Sequence, residues 1–460
     1  MRLERMRRIA RGLALVAGLG VALAGPAFCE AHVTFDRATT FQTIHGWEAT
    51  ANLLWEDNLE GYRDEVFDRL LPEAGITRIR LEVYSGSENT DHSFRRFLDG
   101  TYDEAEWDRR RYVTVNDDGD PFHINPAGFD FADLDWRVDN FVLPLMDRAR
   151  RQGVKLDINL AVVAFTDQSA PGSPYIHTDP EEFGEFALAA WLHLRDKYGL
   201  VPDMFQPMLE PDRVKEWTPE TLARAMGAAA RRLRAAGFTP RFVAPSVTNV
   251  YHTLDWFDAI EKDPDARDAL YELSFHRYWG ASLKVLAAIA ARATEAGVAT
   301  SMLEYWGGDA TYILLHTDLA VGNVSAWQPR AVMETFVLDP TRPEGHRLVL
   351  ADDMRYDALY FRNILPGAVR FAAASDAPGV HPLAFRNPDG SETVVLRSSG
   401  PQTAILSGLT PGSYRLSLAI DTGSIDLLDP IEVGPDGAAT IHIGGKGVAV
   451  LTSRRTGHDN

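Results

Sequence analysis

The chain has 460 residues, 45% hydrophobic and 24% charged, a balance that excludes a mostly disordered chain, a collagen and a polytopic membrane protein. Its formal net charge of −19 argues against gripping phosphate backbones, so no nucleic-acid partner is expected. The single cysteine, Cys29, excludes an intramolecular disulfide and a cysteine-built zinc site.

The N-terminus has the form of a targeting segment. Arg2, Arg5, Arg7, Arg8 and Arg11 precede an apolar run over 12–24, and small residues recur at Ala22, Ala24, Ala27 and Ala31. This predicts a signal peptide over 1–31 and a secreted or periplasmic protein. The run is short for a membrane span, so no integral span is expected once the leader is removed.

From about 42 to 335 short β-branched runs alternate with helical periodicity. The runs fall at 41–47, 77–83, 154–163, 204–210, 241–245, 272–276, 299–304 and 322–327. Helices are predicted between them, among others over 136–151, over 219–236 with Thr218 as cap and Pro219 behind it, and over 281–296 ending at Gly297. Eight such units predict an α/β fold, a (β/α)8 TIM barrel over 44–365. An open doubly wound sheet is the rival, but no G-x-G-x-x-G follows the first run.

The stretch 84–132 breaks the alternation. It is long and polar and carries Tyr102, Trp107, Tyr112, Phe122, Phe129 and Phe131, which would lie over the barrel mouth. After 366 helical periodicity gives way to short strands and turns at 387–390, 410–412 and 434–437. This predicts a C-terminal antiparallel β-sandwich domain over 366–455, with 32–43 contributing a strand.

Glu210 and Glu304 end the fourth and seventh runs. Strand C-termini in such a barrel face the active site, and two carboxylates there can divide acid and nucleophile duties. No H-E-x-x-H occurs and the histidines are scattered, so no metal or other cofactor is expected.

The sequence resembles the glycoside hydrolases of clan A, most closely family 30. The family's Gln-x-Ile-x-Gly-Phe-Gly pattern is matched by Gln42-Thr43-Ile44-His45-Gly46-Trp47-Glu48. Its Asn-Glu-Pro motif is matched by Leu209-Glu210-Pro211, its seventh-strand nucleophile by Met302-Leu303-Glu304, and its Pro-Gly-Ala-Val-Arg stretch by Pro366-Gly367-Ala368-Val369-Arg370. The resemblance implies a retaining β-glycosidase with Glu210 as acid/base and Glu304 as nucleophile, and a carbohydrate partner. It further implies that Arg80 orients the nucleophile, that His276 and Tyr278 form the sixth-strand pair, and that Trp327 floors the reacting sugar. Trp47, Asn159 and Trp306 join them as substrate-binding candidates.

Leu209 departs from the family, whose asparagine there bonds the sugar 2-hydroxyl. Asn159, read at the end of the third strand, is one replacement; a substrate different at C2, or weak activity, are the others. The third strand also has Ala164-Phe165-Thr166-Asp167 where the family has Trp-Ser-Pro-Pro. A non-catalytic carbohydrate-binding protein on the same scaffold, favoured by Leu209, is the second reading, and another clan A family the third.

Overall fold

The computed structural model describes residues 29–51, 59–306, 310–421 and 425–453. The expected leader lies outside them up to residue 28. Its last three residues begin strand β1 (Cys29–Thr43) and pair with residues 402–404. A leader ending at 31 would therefore cut into β1, whereas one ending before 29 leaves it whole.

Eight parallel strands close into a barrel in chain order. They are β2 (Gly46–Thr50), β3 (Arg78–Tyr84), β4 (Asp157–Val163), β5 (Met204–Gln206), β6 (Phe242–Asn249), β7 (Leu270–Trp279), β8 (Ala299–Met302) and β9 (Val324–Trp327). Period-two alternation sorts their side chains into two populations. Ile79, Leu81 and Val83 of β3, Ile158, Leu160 and Val162 of β4, and Phe205 of β5 face the helices and join one large apolar core. The alternate residues, among them Arg78, Arg80, Asn159, Gln206, Glu272 and His276, fill the lumen and are buried.

The helices form where their signals predict. Thr218 Oγ1 accepts from the Thr221 amide and starts the helix Pro219–Ala235. The helix Leu283–Ala296 stops at Gly297, whose φ of 72° is left-handed.

β10 (Phe336–Leu338) and β11 (Leu348–Leu350) make a hairpin beside the barrel. The rest is one nine-stranded sheet. It contains β12 (Val369–Ser375), β13 (Val380–Arg386), β14 (Glu392–Ser399), β15 (Gln402–Ser407), β16 (Gly412–Ile420), β17 (Ile425–Val433), β18 (Ala438–Ile443) and β19 (Lys446–Ser453). Its order is β17-β16-β19-β14-β13-β12-β1-β15-β18, so β1 occupies an interior place. Val33, Leu396, Leu406, Leu416 and Ile441, drawn from across the sheet, share one apolar cluster, so the sheet closes over its own face as a sandwich. Its pairings are antiparallel except for β1 with β15, which are parallel.

The Pro-Gly-Ala-Val-Arg stretch is the seam between sheet and barrel. Ile44 N donates to Ala368 O at 2.8 Å and Gly367 N to Ile44 O at 2.7 Å. The buried Arg370 donates to Gln42 Oε1 and Asn323 Oδ1, both at 2.7 Å. Gln42 in turn donates to the carbonyl of Leu319 at 2.8 Å. Two motifs that carried the resemblance thus meet in one hydrogen-bonded junction remote from the mouth.

The 84–132 segment folds over the top of β3. Most of its aromatic rings are spent on packing: Phe94, Trp107 and Tyr112 form a small core with Tyr84, Val163 and Leu209. Arg111 lies over the rings of Tyr84, Trp107 and Tyr112 at about 5 Å, while Arg109 and Arg110 pair with Glu106 at the surface.

Two positions yield tests. Gly75 has φ 79°, and a Cβ there would lie 2.7 Å from Phe361 Cβ and 2.8 Å from the Arg362 amide nitrogen. Gly75→Ala should therefore cost more than about 1 kcal/mol, read as a lower denaturation midpoint. Glu185, on the helix Pro180–Tyr198, is fully buried, and among the described residues neither carboxylate oxygen has a hydrogen-bond partner. Burial, then the nearby carboxylates of Asp117, Glu88 and Glu182, push it up to about 8. A raised carboxyl stabilises the fold only while protonated, so its contribution is lost as pH rises from about 4.5 towards 8. Glu185→Gln should reduce the fall in stability between pH 6 and 9, as measured by chemical denaturation.

Candidate active site

The lumen is organised by two arginines two residues apart on β3. Arg78, in the deeper layer, donates to Glu48 through Nε and to Glu272 Oε1 at 2.7 Å, all three fully buried. His45 Nδ1 lies 2.9 Å from the same Glu272 oxygen. Burial opposes ionisation of Glu272, but Arg78 and His45 outweigh it and hold its carboxyl at about 2. Burial instead pushes Glu48 up, against the pull of Arg78 and Arg80.

Arg80 points towards the mouth. Its Nη2 donates to Glu304 Oε2 at 2.7 Å and lies 3.1 Å from Glu82 Oε1. The Tyr278 hydroxyl donates to the other Glu304 oxygen at 2.7 Å. Burial raises the Glu304 carboxyl, but Arg80, His276 and the Tyr278 hydroxyl together bring it below its ordinary value. Glu304 is therefore an oriented carboxylate whose two oxygens are both engaged.

Glu210 has different surroundings. It sits past the end of β5 in a left-handed conformation (φ 51°, ψ 54°) and opens the tight turn Pro211–Arg213. Backbone strain of this kind in a non-glycine residue concentrates at functional sites. The turn is held by Asp212, which accepts from Thr248 N at 2.7 Å, Thr248 Oγ1 at 2.9 Å and Asn249 N at 3.1 Å. Among the described residues the ion-pair partners of Glu210 are His276 Nδ1 at 2.9 Å and the half-exposed Arg213 at 3.7 Å.

One oxygen of each glutamate and one ring nitrogen of His276 lie within 4.8 Å of one another. Such a trio could ligate a cation. Arg80 already places a positive charge on Glu304, however, so a metal there would face a guanidinium.

Of the expected substrate-binding residues, Arg80, His276 and Tyr278 meet the two glutamates. Trp306 also borders the site: its amide approaches the Tyr278 hydroxyl at 3.5 Å, Arg80 lies 5.9 Å from its ring centre, and its buried indole N–H has no partner among the described residues.

The structure places three others elsewhere. Trp327 is on the helix-facing side of β9, where its indole donates to Asp318 Oδ2 at 2.9 Å. Trp47, its register partner on β2, stacks on Phe361 and donates to Ile364 O at 2.8 Å. Neither ring reaches the lumen, because each occupies the outward phase of its strand. Asn159 is the third residue of β4 rather than its last, and its amide donates to Glu48 in the deeper layer. It does not lie beside Leu209 as a replacement for the missing asparagine. Leu209 itself is covered by the small aromatic core of the 84–132 segment.

Sequence reasoning missed Gln328 and Gln206. Gln328, one residue beyond Trp327, donates to Thr50 Oγ1 at 2.8 Å and leaves its carbonyl oxygen free. Gln206, at the end of β5, is fully buried, and among the described residues neither polar atom of its side chain has a hydrogen-bond partner. Counting the inward phase from Arg78 and Arg80 around the barrel would have selected both.

No family model matches the sequence, and no curated protein does. Solved structures match its fold. The catalytic domain of xylanase C from Talaromyces cellulolyticus, a glycoside hydrolase family 30 enzyme, superposes with a TM-score of 0.66 at 16% identity, over 92% of this chain and 100% of that one. A family 30 endoxylanase from Clostridium papyrosolvens gives 0.65 at 17% identity, over 92% and 99%. An endo-β-1,6-glucanase gives 0.58 at 15% identity, over 92% and 94%. The barrel with its appended β-sandwich is thus a scaffold that this chain shares with clan A glycoside hydrolases.

The geometry of Glu304 is directly testable. Removing the Tyr278 hydroxyl takes away a charge-assisted bond of about 1.5 kcal/mol. Tyr278→Phe should raise the Glu304 pKa, read by carbon NMR of the labelled carboxyl.

Proposed function

We propose that the protein is an exported retaining β-glycoside hydrolase acting on a β-linked glycan or glycoside. The supporting observation is the carboxylate pair. Two glutamates at opposed strand ends, in contrasting environments, bring one oxygen of each within 4.8 Å. So close an approach is in keeping with double displacement, in which the carboxyl groups stand roughly 5–5.5 Å apart.

Glu304 is the nucleophile. Arg80 and Tyr278 keep it ionised and fix its orientation towards the anomeric carbon. Glu210 gives its proton to the leaving oxygen and later takes one from the water that releases the sugar. His276, bonded to Glu210, positions that carboxyl. Trp306, whose amide approaches the Tyr278 hydroxyl at 3.5 Å, borders the nucleophile and is a further substrate-binding candidate. Residues 44–365 form the catalytic unit in this reading, and 366–455, with the strand from 32–43, its supporting sandwich. The fold's likeness to xylanases and a β-1,6-glucanase points to neutral β-linked polysaccharides as substrates.

Hydrolysis of β-1,4-xylan, β-1,4-glucan and β-1,6-glucan is the measurement. Glu304→Ala should abolish turnover of the responsive substrate, with azide and an activated glycoside giving an α-glycosyl azide. Glu210→Gln should slow an unactivated glycoside about 10²–10⁴-fold. Full activity in the Glu304→Ala protein would sink the proposal, and sugar binding without turnover across the panel would make the scaffold a binding module.

A further inference from the structure

Two large aromatic side chains stand exposed at the rim beside the proposed acid. Trp279 ends β7 and is 64% exposed, and Tyr251, in the turn after β6, is 66% exposed. The Trp279 ring centre lies 5.9 Å from that of Tyr278, the residue bonded to Glu304. A rim of this kind is more than two scattered surface rings, because the backbone builds it.

The construction starts at Glu210. Asp212, two residues on, ties that turn to Thr248 and Asn249 at the end of β6. Asn249 Oδ1 accepts from the Tyr251 amide at 3.1 Å, and Asn249 is the register partner of Trp279. Gly280 then lets the two segments close together. It has φ 72°, and a Cβ there would fall 2.1 Å from Asn249 Oδ1 and 2.9 Å from Tyr251 Cβ. The backbone positions that carry both rings are thus tied to the Glu210 turn through a short run of hydrogen bonds and one obligatory glycine.

We propose that Trp279 and Tyr251 form a stacking platform for pyranose residues of the leaving group, on the Glu210 side of the scissile bond. The assignment rests on Glu210 being the acid, since an acid must stand beside the leaving oxygen. In barrel order β5, β6 and β7 are consecutive, so the two rings extend from the acid along one arc of the mouth. The electron-rich face of an aromatic ring attracts the polarised C–H bonds on the flat side of a neutral sugar, and it needs no charge to do so. The platform therefore favours an extended oligosaccharide over a glycoside with a small leaving group.

The test compares two substrate types in Trp279→Ala, Tyr251→Ala and the double variant. The probes are xylohexaose, cellohexaose and a β-1,6-gluco-oligosaccharide, each set against the matching β-glycosyl fluoride, which has no leaving-group ring. The expected result is a loss of kcat/KM on the oligosaccharide about tenfold greater than on the fluoride, with Trp279→Phe restoring most of it. A parallel readout needs no turnover: adding Trp279→Ala to the Glu304→Ala protein should weaken calorimetric binding of the same oligosaccharide about tenfold. Hydrolysis with equal losses on both substrates, or none on either, overturns the platform and leaves the carboxylate roles standing. Trp279-dependent binding without any hydrolysis overturns the carboxylate roles and, with them, the leaving-group assignment, leaving the rings as a sugar-binding surface. Absence of both binding and hydrolysis overturns both.

Discussion

A guanidinium sealed inside a barrel must be neutralised where it lies, and β3 places two of them there. Arg78 takes Glu48 and Glu272; Arg80 takes Glu304, with Glu82 alongside. An unpaired charge at that depth would cost several kcal/mol, so these partners are committed by electrostatics before any ligand arrives. The commitment sorts the carboxylates. Glu304 is bound to a fixed cation and a hydroxyl, whereas Glu210 keeps a histidine and a half-exposed arginine. Two chemically identical side chains thereby acquire different surroundings, and the difference originates in the inward phase of β3, which is adjacent to neither of their strands.

Much of this organisation was legible in the sequence. The eight barrel strands and the helices between them follow from apolar period and capping, which are local signals. Glu210 and Glu304 were legible because each closes an apolar run. The failures are failures of phase and depth. Trp327 lies on the outward phase while Gln328 beside it lies on the inward one, and a four-residue strand gives no pattern long enough to separate them. Asn159 was read as a strand end, yet β4 runs four residues further. β17 escaped notice because it is an edge strand that exposes Leu427 and Leu428 and carries Asp429 and Pro430, with little alternation to detect.

The departures from the family pattern also gain a physical meaning. Leu209 is apolar because the 84–132 segment lays Tyr84, Trp107 and Tyr112 near it, and an amide there would be buried among rings. The aromatic wealth of that segment serves mainly to fold the segment. The rings proposed to meet a ligand come instead from the turn after β6 (Tyr251), the end of β7 (Trp279) and the residues after β8 (Trp306).

The interior place of β1 carries a consequence for how the molecule is made. Val33 pairs with Ser375 on one side and Leu406 on the other, so the first strand waits for more than three hundred residues before either neighbour exists. Such long-range pairing slows folding, because the whole barrel must be bridged before the contact is gained. Until then β1 is an unpaired strand with both edges open, able to template association with other chains. The sandwich therefore acts as a clasp, joining the first described strand to the last third of the chain around an already threaded barrel. A chain cut short before β15 would leave that clasp half closed, with β1 paired to β12 alone, whatever the state of the carboxylates above it.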